Sequence, residues 1–189
     1  RSRLSVLQQL DAKREGFSEG ALAALRQSDS VIGSLADYVR VPDDHVIAIE
    51  AALGHHLQLV MTQSEKDTTN IINQLKELGN GKASIAPVEF LTSSKHSSQS
   101  QLPEIPTGTC LASSVITSKP EVEPFIRSLL GTTLIVSDLS QASVLWRESN
   151  GNFDFVTTSG DLLTRHGVFT GGATGGDHKS TSILGRKNE

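Results

Sequence analysis

The stretch Pro42-Asp43-Asp44-His45-Val46-Ile47-Ala48-Ile49-Glu50-Ala51-Ala52-Leu53-Gly54 decides the fold class, because its pattern recurs later in the chain. Proline and two acids suit the first turn of a helix, where backbone N–H groups lack partners and the helix dipole is positive. Val46, Ile49 and Leu53 then share one face, and Gly54 is placed to end the helix. Leu57-Gln58-Leu59-Val60-Met61 follows as a predicted strand. The same order returns with Pro120, then Val122, Ile126, Leu129 and Leu130, the stop Gly131, and a strand at Leu134-Ile135-Val136. A shift of 77 residues lays Ile49 on Ile126, Leu53 on Leu130, Gly54 on Gly131 and Leu57 on Leu134, with Val60 near Val136. This is an internal duplication of one strand–helix–strand–helix unit.

The flanking segments extend the α/β pattern. Val31–Val41 contains a strand signal, Lys82–Val88 a second, and Leu35-Ala36 is echoed by Leu111-Ala112. Ser64 with Asp67 forms a capping box for a helix carrying Ile71, Ile72, Leu75 and Leu78, and Gly79 stops it. Asp138 with Gln141 caps a helix carrying Leu139, Ala142 and Leu145. Between the two copies, residues 92–107 are rich in Ser, Gln and Pro and read as a linker. Before the first copy, Leu4, Leu7 and Leu10 mark a short apolar stripe that is expected to be the end of a longer helix. A second short helix is predicted at Ser18–Leu25, and Ser182–Glu189 is expected to begin another long one.

Composition narrows the function. The 189 residues are 37% apolar, enough for a core, and no apolar run approaches the ~20 residues of a membrane span. No signal-peptide cleavage site follows the first ten residues. The single cysteine, Cys110, excludes an internal disulfide and suits a cytoplasmic protein. Net charge is −4, which argues against a uniformly basic nucleic-acid binder. Charge is uneven, however. Residues 1–15 hold four basic and two acidic side chains, and residues 177–189 hold three and two. Both ends are locally basic and the body between them is acidic.

Val168-Phe169-Thr170 runs into Gly171-Gly172-Ala173-Thr174-Gly175-Gly176, four glycines in six residues. Such a run serves close approach of a ligand or of another backbone, or a positive φ. A P-loop would need glycine where His178 precedes Lys179-Ser180, and a helix to follow; both are missing. His55-His56 falls in a helix-to-strand turn where the second copy has Thr132-Thr133, so a surface turn is expected rather than a metal site. Cys110 lies in no nucleophile context and reads as a small buried thiol. Asp37, Asp43, Asp44 and Glu50 are explained by caps and solvation, and Asp154, Asp161 and Arg165 by hairpin turns. Trp146 reads as core. With six Phe, one Tyr and one Trp, the chain has no interleaved basic–aromatic strip for bases. No catalytic residue, cofactor or metal is expected.

The ordered blocks Gly33-Ser34-Leu35-Ala36-Asp37, Ala48–Gly54, Leu129–Val136, Val156–Leu163 and Gly167–Gly172, with Ser182–Lys187, resemble the hinge domain of structural maintenance of chromosomes (SMC) proteins, most closely the bacterial chromosome-condensing type. The resemblance implies an α/β fold of two similar subdomains with mixed sheets flanked by helices, plus coiled-coil stubs at both ends. It divides the chain into a stub and entry helix at 1–25, subdomain I at 26–91, the linker at 92–107, subdomain II at 108–176 and the returning coiled coil at 177–189. It implies a homodimerisation module that joins two SMC arms into a ring for chromosome condensation and segregation. Subdomain I of one chain would meet subdomain II of the other. The Gly-Gly-x-x-Gly-Gly pattern, here Gly171, Gly172, Gly175 and Gly176, would lie at that contact together with Val168, Phe169 and Thr170. Weak DNA binding near the coiled-coil junction would fall to Lys13, Arg14, Lys179, Arg186 and Lys187. The parent protein would bind ATP and non-SMC subunits through heads this chain lacks, in the nucleoid-associated cytoplasm. Three alternatives stay open at this point: a module whose main task is DNA contact, a heterodimerising hinge of the eukaryotic type, and a small α/β enzyme or ligand-binding domain.

Overall fold

A computed structural model describes residues 17–26, 30–93, 105–172 and 182–185. The chain divides into two units. Of the described residues, the first unit takes 17–38, 55–93 and 182–185, and the second takes 39–54 and 105–172.

In the first unit, helix α1 (Glu19–Arg26) precedes strand β1 (Val31–Ser34) and a 3-10 turn at Leu35–Tyr38. Strand β3 (Val60–Thr62), helix α3 (Glu65–Leu78) and strand β4 (Ile85–Pro87) follow, with a short helix α4 (Val88–Ser93) after them. The sheet runs β1-β3-β4; β1 is antiparallel to β3, and β4 is parallel to β3 across the α3 crossover. The predicted N-cap forms: Ser64 Oγ accepts from the Asp67 N–H at 3.3 Å, while the Asp67 carboxylate accepts from the Ser64 hydroxyl at 2.7 Å. Gly79 ends α3 with φ +64, a left-handed value that costs glycine nothing. The amphipathic face of α3 buries Ile71 and Leu75. Helix α1 packs on β1, β3 and α3. It does so closely, because a Cβ on Gly20 would overlap the Lys82 carbonyl.

In the second unit, β2 (Val39–Arg40) and a 3-10 turn at Asp43–His45 lead into α2 (Val46–Leu53). Pro42 and the two acids lie one turn earlier than expected, at the 3-10 turn, and the first turn of α2 itself holds no acid; Gly54 stands at the C-terminal end at φ +51. The second copy of the repeat supplies β5 (Cys110–Leu111), β6 (Thr117–Ser118), α5 (Glu123–Leu130), β7 (Thr133–Val136), α6 (Leu139–Glu148) and β8 (Asp154–Thr157). A hairpin of β9 (Leu162–Leu163) and β10 (Phe169–Thr170) completes it. The five-stranded sheet runs β10-β9-β8-β7-β5. Its core joins Leu134, Val136, Ala142, Phe153, Phe155 and Leu163, and the two phenylalanine rings meet edge to face at 6.5 Å.

The duplication holds at the level of topology. β1-β3-β4 and β5-β7-β8 share strand order, directions and a parallel crossover helix. Helix α5 lies 77 residues after α2 at both ends. The register beyond the helix needs correction. Leu57 lies in a 3-10 turn, Gly54–Gln58, and the strand begins only at Val60. Val60 therefore matches Leu134, not Leu57: each pairs with the closing residue of the preceding strand, Ser34 or Leu111. The first copy has a longer turn, and buried Leu57 is satisfied inside it. Pro120 likewise lies before α5, whose first turn holds Pro124 instead. A two-stranded ladder joins β2 to β6, pairing Arg40 with Thr117, its own counterpart at the 77-residue shift.

Candidate self-association edge

Among the described residues β10 is the outer strand of the five-stranded sheet. Thr164 N–H donates to the Val168 carbonyl at 2.9 Å, and Phe169 and Thr170 stand opposite Leu163 and Leu162. Antiparallel strands alternate hydrogen-bonded and non-bonded pairs. Because Val168–Thr164 is bonded, the Phe169 N–H and C=O face away from β9, toward the open side. Continued by two residues, the same alternation turns Gly171 outward. Val168 and Phe169 are each 56% exposed. An unpaired edge flanked by apolar side chains is a template for another strand.

The glycine run is held at its start by the chain itself. Asp161, in the β8–β9 turn, accepts from the Gly172 N–H through Oδ1 at 3.3 Å. Its Oδ2 accepts from Ser159 Oγ at 2.9 Å and Thr157 Oγ1 at 3.4 Å. A Cβ on Gly171 would overlap Asp161 Oδ1, and Gly172 has φ +117. Gly172 thus needs glycine for its backbone, and a side chain at 171 would displace the Asp161 carboxylate, two demands inside the chain that the sequence alone does not disclose. Gly175 and Gly176 lie outside the described residues, as do Lys13, Arg14, Lys179, Arg186 and Lys187.

Among the described residues the first unit has an open strand as well. The Val60 N–H donates to the Ser84 carbonyl at 2.9 Å, so Ser84 and Ala86 face β3 while Ile85 and Pro87 face out. Proline, which has no N–H, is tolerated there. Just beyond it, Phe90 on α4 is 50% exposed. Sequence reasoning predicted the strand at Lys82–Val88 but not that its edge is open, although Pro87 at the end of an apolar run was the available signal.

The other candidates settle into structural roles. His55 and His56 share the 3-10 turn with ring centroids 4.1 Å apart. Among the described residues no group of three or more His, Cys, Asp or Glu is placed for a metal ion. Cys110 is half-buried on β5 with a free thiol. Arg165 pairs with Asp154 at 2.7 Å and donates to Thr132 Oγ1 at 3.0 Å, while its carbonyl accepts from Trp146 Nε1 at 3.1 Å. An open depression of about 390 Å³ in the first unit, bordered by Ser18, His55, Gln58 and Lys82, has no carboxylate in its lining. No helix among the described residues is long and apolar enough to cross a membrane.

Comparison with known proteins gives one answer. Residues 28–146 match the family model of the SMC proteins flexible hinge domain. The chain is 31% identical over 192 residues to the chromosome partition protein Smc of Halothermothrix orenii, covering 100% of this chain and 16% of that protein. It is 29% identical over 194 residues to the protein of that name from Bacillus subtilis, with the same coverage. The asymmetric dimer of the Geobacillus stearothermophilus SMC hinge domain aligns with TM-score 0.80 and 26% identity, over 99% of this chain and 76% of that one. The Pyrococcus furiosus SMC hinge domain aligns with TM-score 0.63 and 27% identity, over 86% of each. The chain thus spans about 16% of the length of the curated relatives it matches.

Proposed function

The chain belongs to the SMC flexible hinge domain family, and from that premise we propose that it is a homodimerisation module joining two SMC arms into a ring for chromosome condensation and segregation. One observation carries this reading: β10 ends the second sheet with an open backbone row and two exposed apolar side chains, Val168 and Phe169. Its match is the open side of β4, with Ile85 facing out and Phe90 alongside. Pairing β10 of one chain with β4 of its partner covers both edges and repeats twice around a twofold dimer. In this reading the repeat copies, 26–91 and 108–176, give the two subdomains, with residues 39–54 of the first copy belonging to the unit of the second. Gly171, Gly172, Gly175 and Gly176 let the partner backbone approach beside Val168, Phe169 and Thr170. The work is connective and non-enzymatic; ATP binding and non-SMC subunits belong to the heads of the parent protein, in the nucleoid-associated cytoplasm.

Sedimentation equilibrium at micromolar concentration tests it: twice the chain mass is expected, and a monomer would refute the reading. The basic ends support a lesser contact with DNA at Lys13, Arg14, Lys179, Arg186 and Lys187. Counterion release makes that contact steeply salt-dependent, with a log–log slope of roughly −4.5 on duplex DNA if all five reach phosphates. Absence of binding at low salt would remove it.

A further inference from the structure

We propose that Asp161 is a positioning residue for the self-association edge, holding the Gly171–Gly172 backbone in line with β10. The inference rests on the dimer reading above and adds the residue that shapes its surface. Asp161 is fixed from two sides. Its N–H donates to Thr157 Oγ1 at 2.9 Å, and its carbonyl accepts from the Thr157 N–H at 2.8 Å. Thr157 is buried at the end of β8, so the turn is anchored in the sheet. The carboxylate then spans from the hydroxyls of Ser159 and Thr157 to the Gly172 N–H. A glycine-rich backbone has more freedom to lose on docking than any other. A tie at Gly172 removes part of that freedom before the partner arrives, which is how preorganisation raises affinity. It also keeps Gly171, whose outward N–H and C=O extend the row begun by Phe169, from swinging away from the edge.

The steric relation between Asp161 Oδ1 and Gly171 makes the inference testable by a double-mutant cycle. The dimer dissociation constant is measured by sedimentation for wild type, D161A, D161N, G171A and D161A/G171A. D161A is expected to weaken the dimer roughly tenfold by losing a charge-assisted hydrogen bond. D161N, which keeps an acceptor oxygen, should stay within a few-fold of wild type. G171A should weaken it further than D161A. The double variant should be no worse than D161A, because the overlap that alanine creates at 171 disappears with the carboxylate. Additive losses, or D161N as poor as D161A, would overturn the inference. If G171A fails to fold, hydrogen exchange at the Gly172 amide decides: D161A should accelerate it while the β7 and β8 amides keep their protection, and unchanged exchange counts against the tie. V168K/F169K separates the two levels. If that variant keeps the dimer, the edge reading fails; if it dissociates while the cycle is additive, only the role of Asp161 fails.

Discussion

Replacing Val168 and Phe169 together by lysine should convert the dimer to monomers without unfolding it. Each side chain is 56% exposed, so somewhat over half of its apolar surface is left for a partner to cover. Full burial of a Val or Phe side chain contributes about 1.5–3 kcal/mol, so the covered half supplies about 1–1.5 kcal/mol each. The pair then gives about 2–3 kcal/mol per contact, and two contacts related by a twofold axis about 4–6 kcal/mol. Losing that weakens association roughly a thousandfold or more, since about 1.4 kcal/mol is tenfold. A roughly micromolar sample of a nanomolar dimer would become at least about half monomeric. Within the monomer the part of each residue already covered contributes roughly 0.7–1.3 kcal/mol by the same reckoning, so a loss of about 1–3 kcal/mol in stability is expected, short of unfolding a typical domain. Sedimentation equilibrium gives the mass, and a thermal melt of the same sample controls for folding. A folded V168K/F169K protein with an unchanged dissociation constant would refute the assignment of this edge.

Three further outcomes follow from packing and capping. Phe155 is fully buried against Phe153 and Leu134, so Phe155→Ala should cost about 3–5 kcal/mol in denaturant unfolding; a loss under about 1 kcal/mol would mean that this core collapses around the cavity. Gly20→Ala sets a methyl into the Lys82 backbone and should lower the thermal midpoint by several degrees, whereas an unchanged midpoint would deny the close packing of α1. The Asp138 carboxylate is held below the ordinary aspartate range by the Gln141 backbone N–H first and the Ser137 hydroxyl second. Its stabilising contribution is therefore complete above about pH 4 and disappears as pH falls through the depressed folded value. Asp138→Asn keeps a cap but should flatten that part of the acid unfolding curve; an unaltered acid limb in D138N would contradict the assignment.

Local signals were strong where one chemical group has one job. Ser64, Asp138, Gly54 and Gly79 each stand at the helix end their side chain, or lack of one, implies. The error at Leu57 has a physical origin. Leu57, Leu59 and Met61 alternate as a strand would, but a tight 3-10 turn also buries Leu57, and Gln58 faces Ser18, whose N–H it accepts at 2.8 Å. Only the partner segment distinguishes the two conformations. Gly171 carries the same lesson at the candidate site. Its composition invites a visitor, yet the first demand on it comes from Asp161, ten residues earlier and brought opposite by a hairpin. The open side of β4 was legible only through Pro87, because the exposure of Phe90 depends on how α4 turns after the strand.

The β2–β6 ladder has a consequence for how such a chain arises. A residue that pairs with its own counterpart, as Arg40 does with Thr117, marks the point where an isologous axis would cross the contact. Helices α2 and α5, also counterparts, pack together in the same unit. Two separate copies of a half-length ancestor would have met through the same surfaces as a symmetric pair. Tandem duplication then turns an association that depends on concentration into an intramolecular one that does not, and frees each half to diverge: one gained the β9–β10 hairpin, the other a longer turn before its central strand.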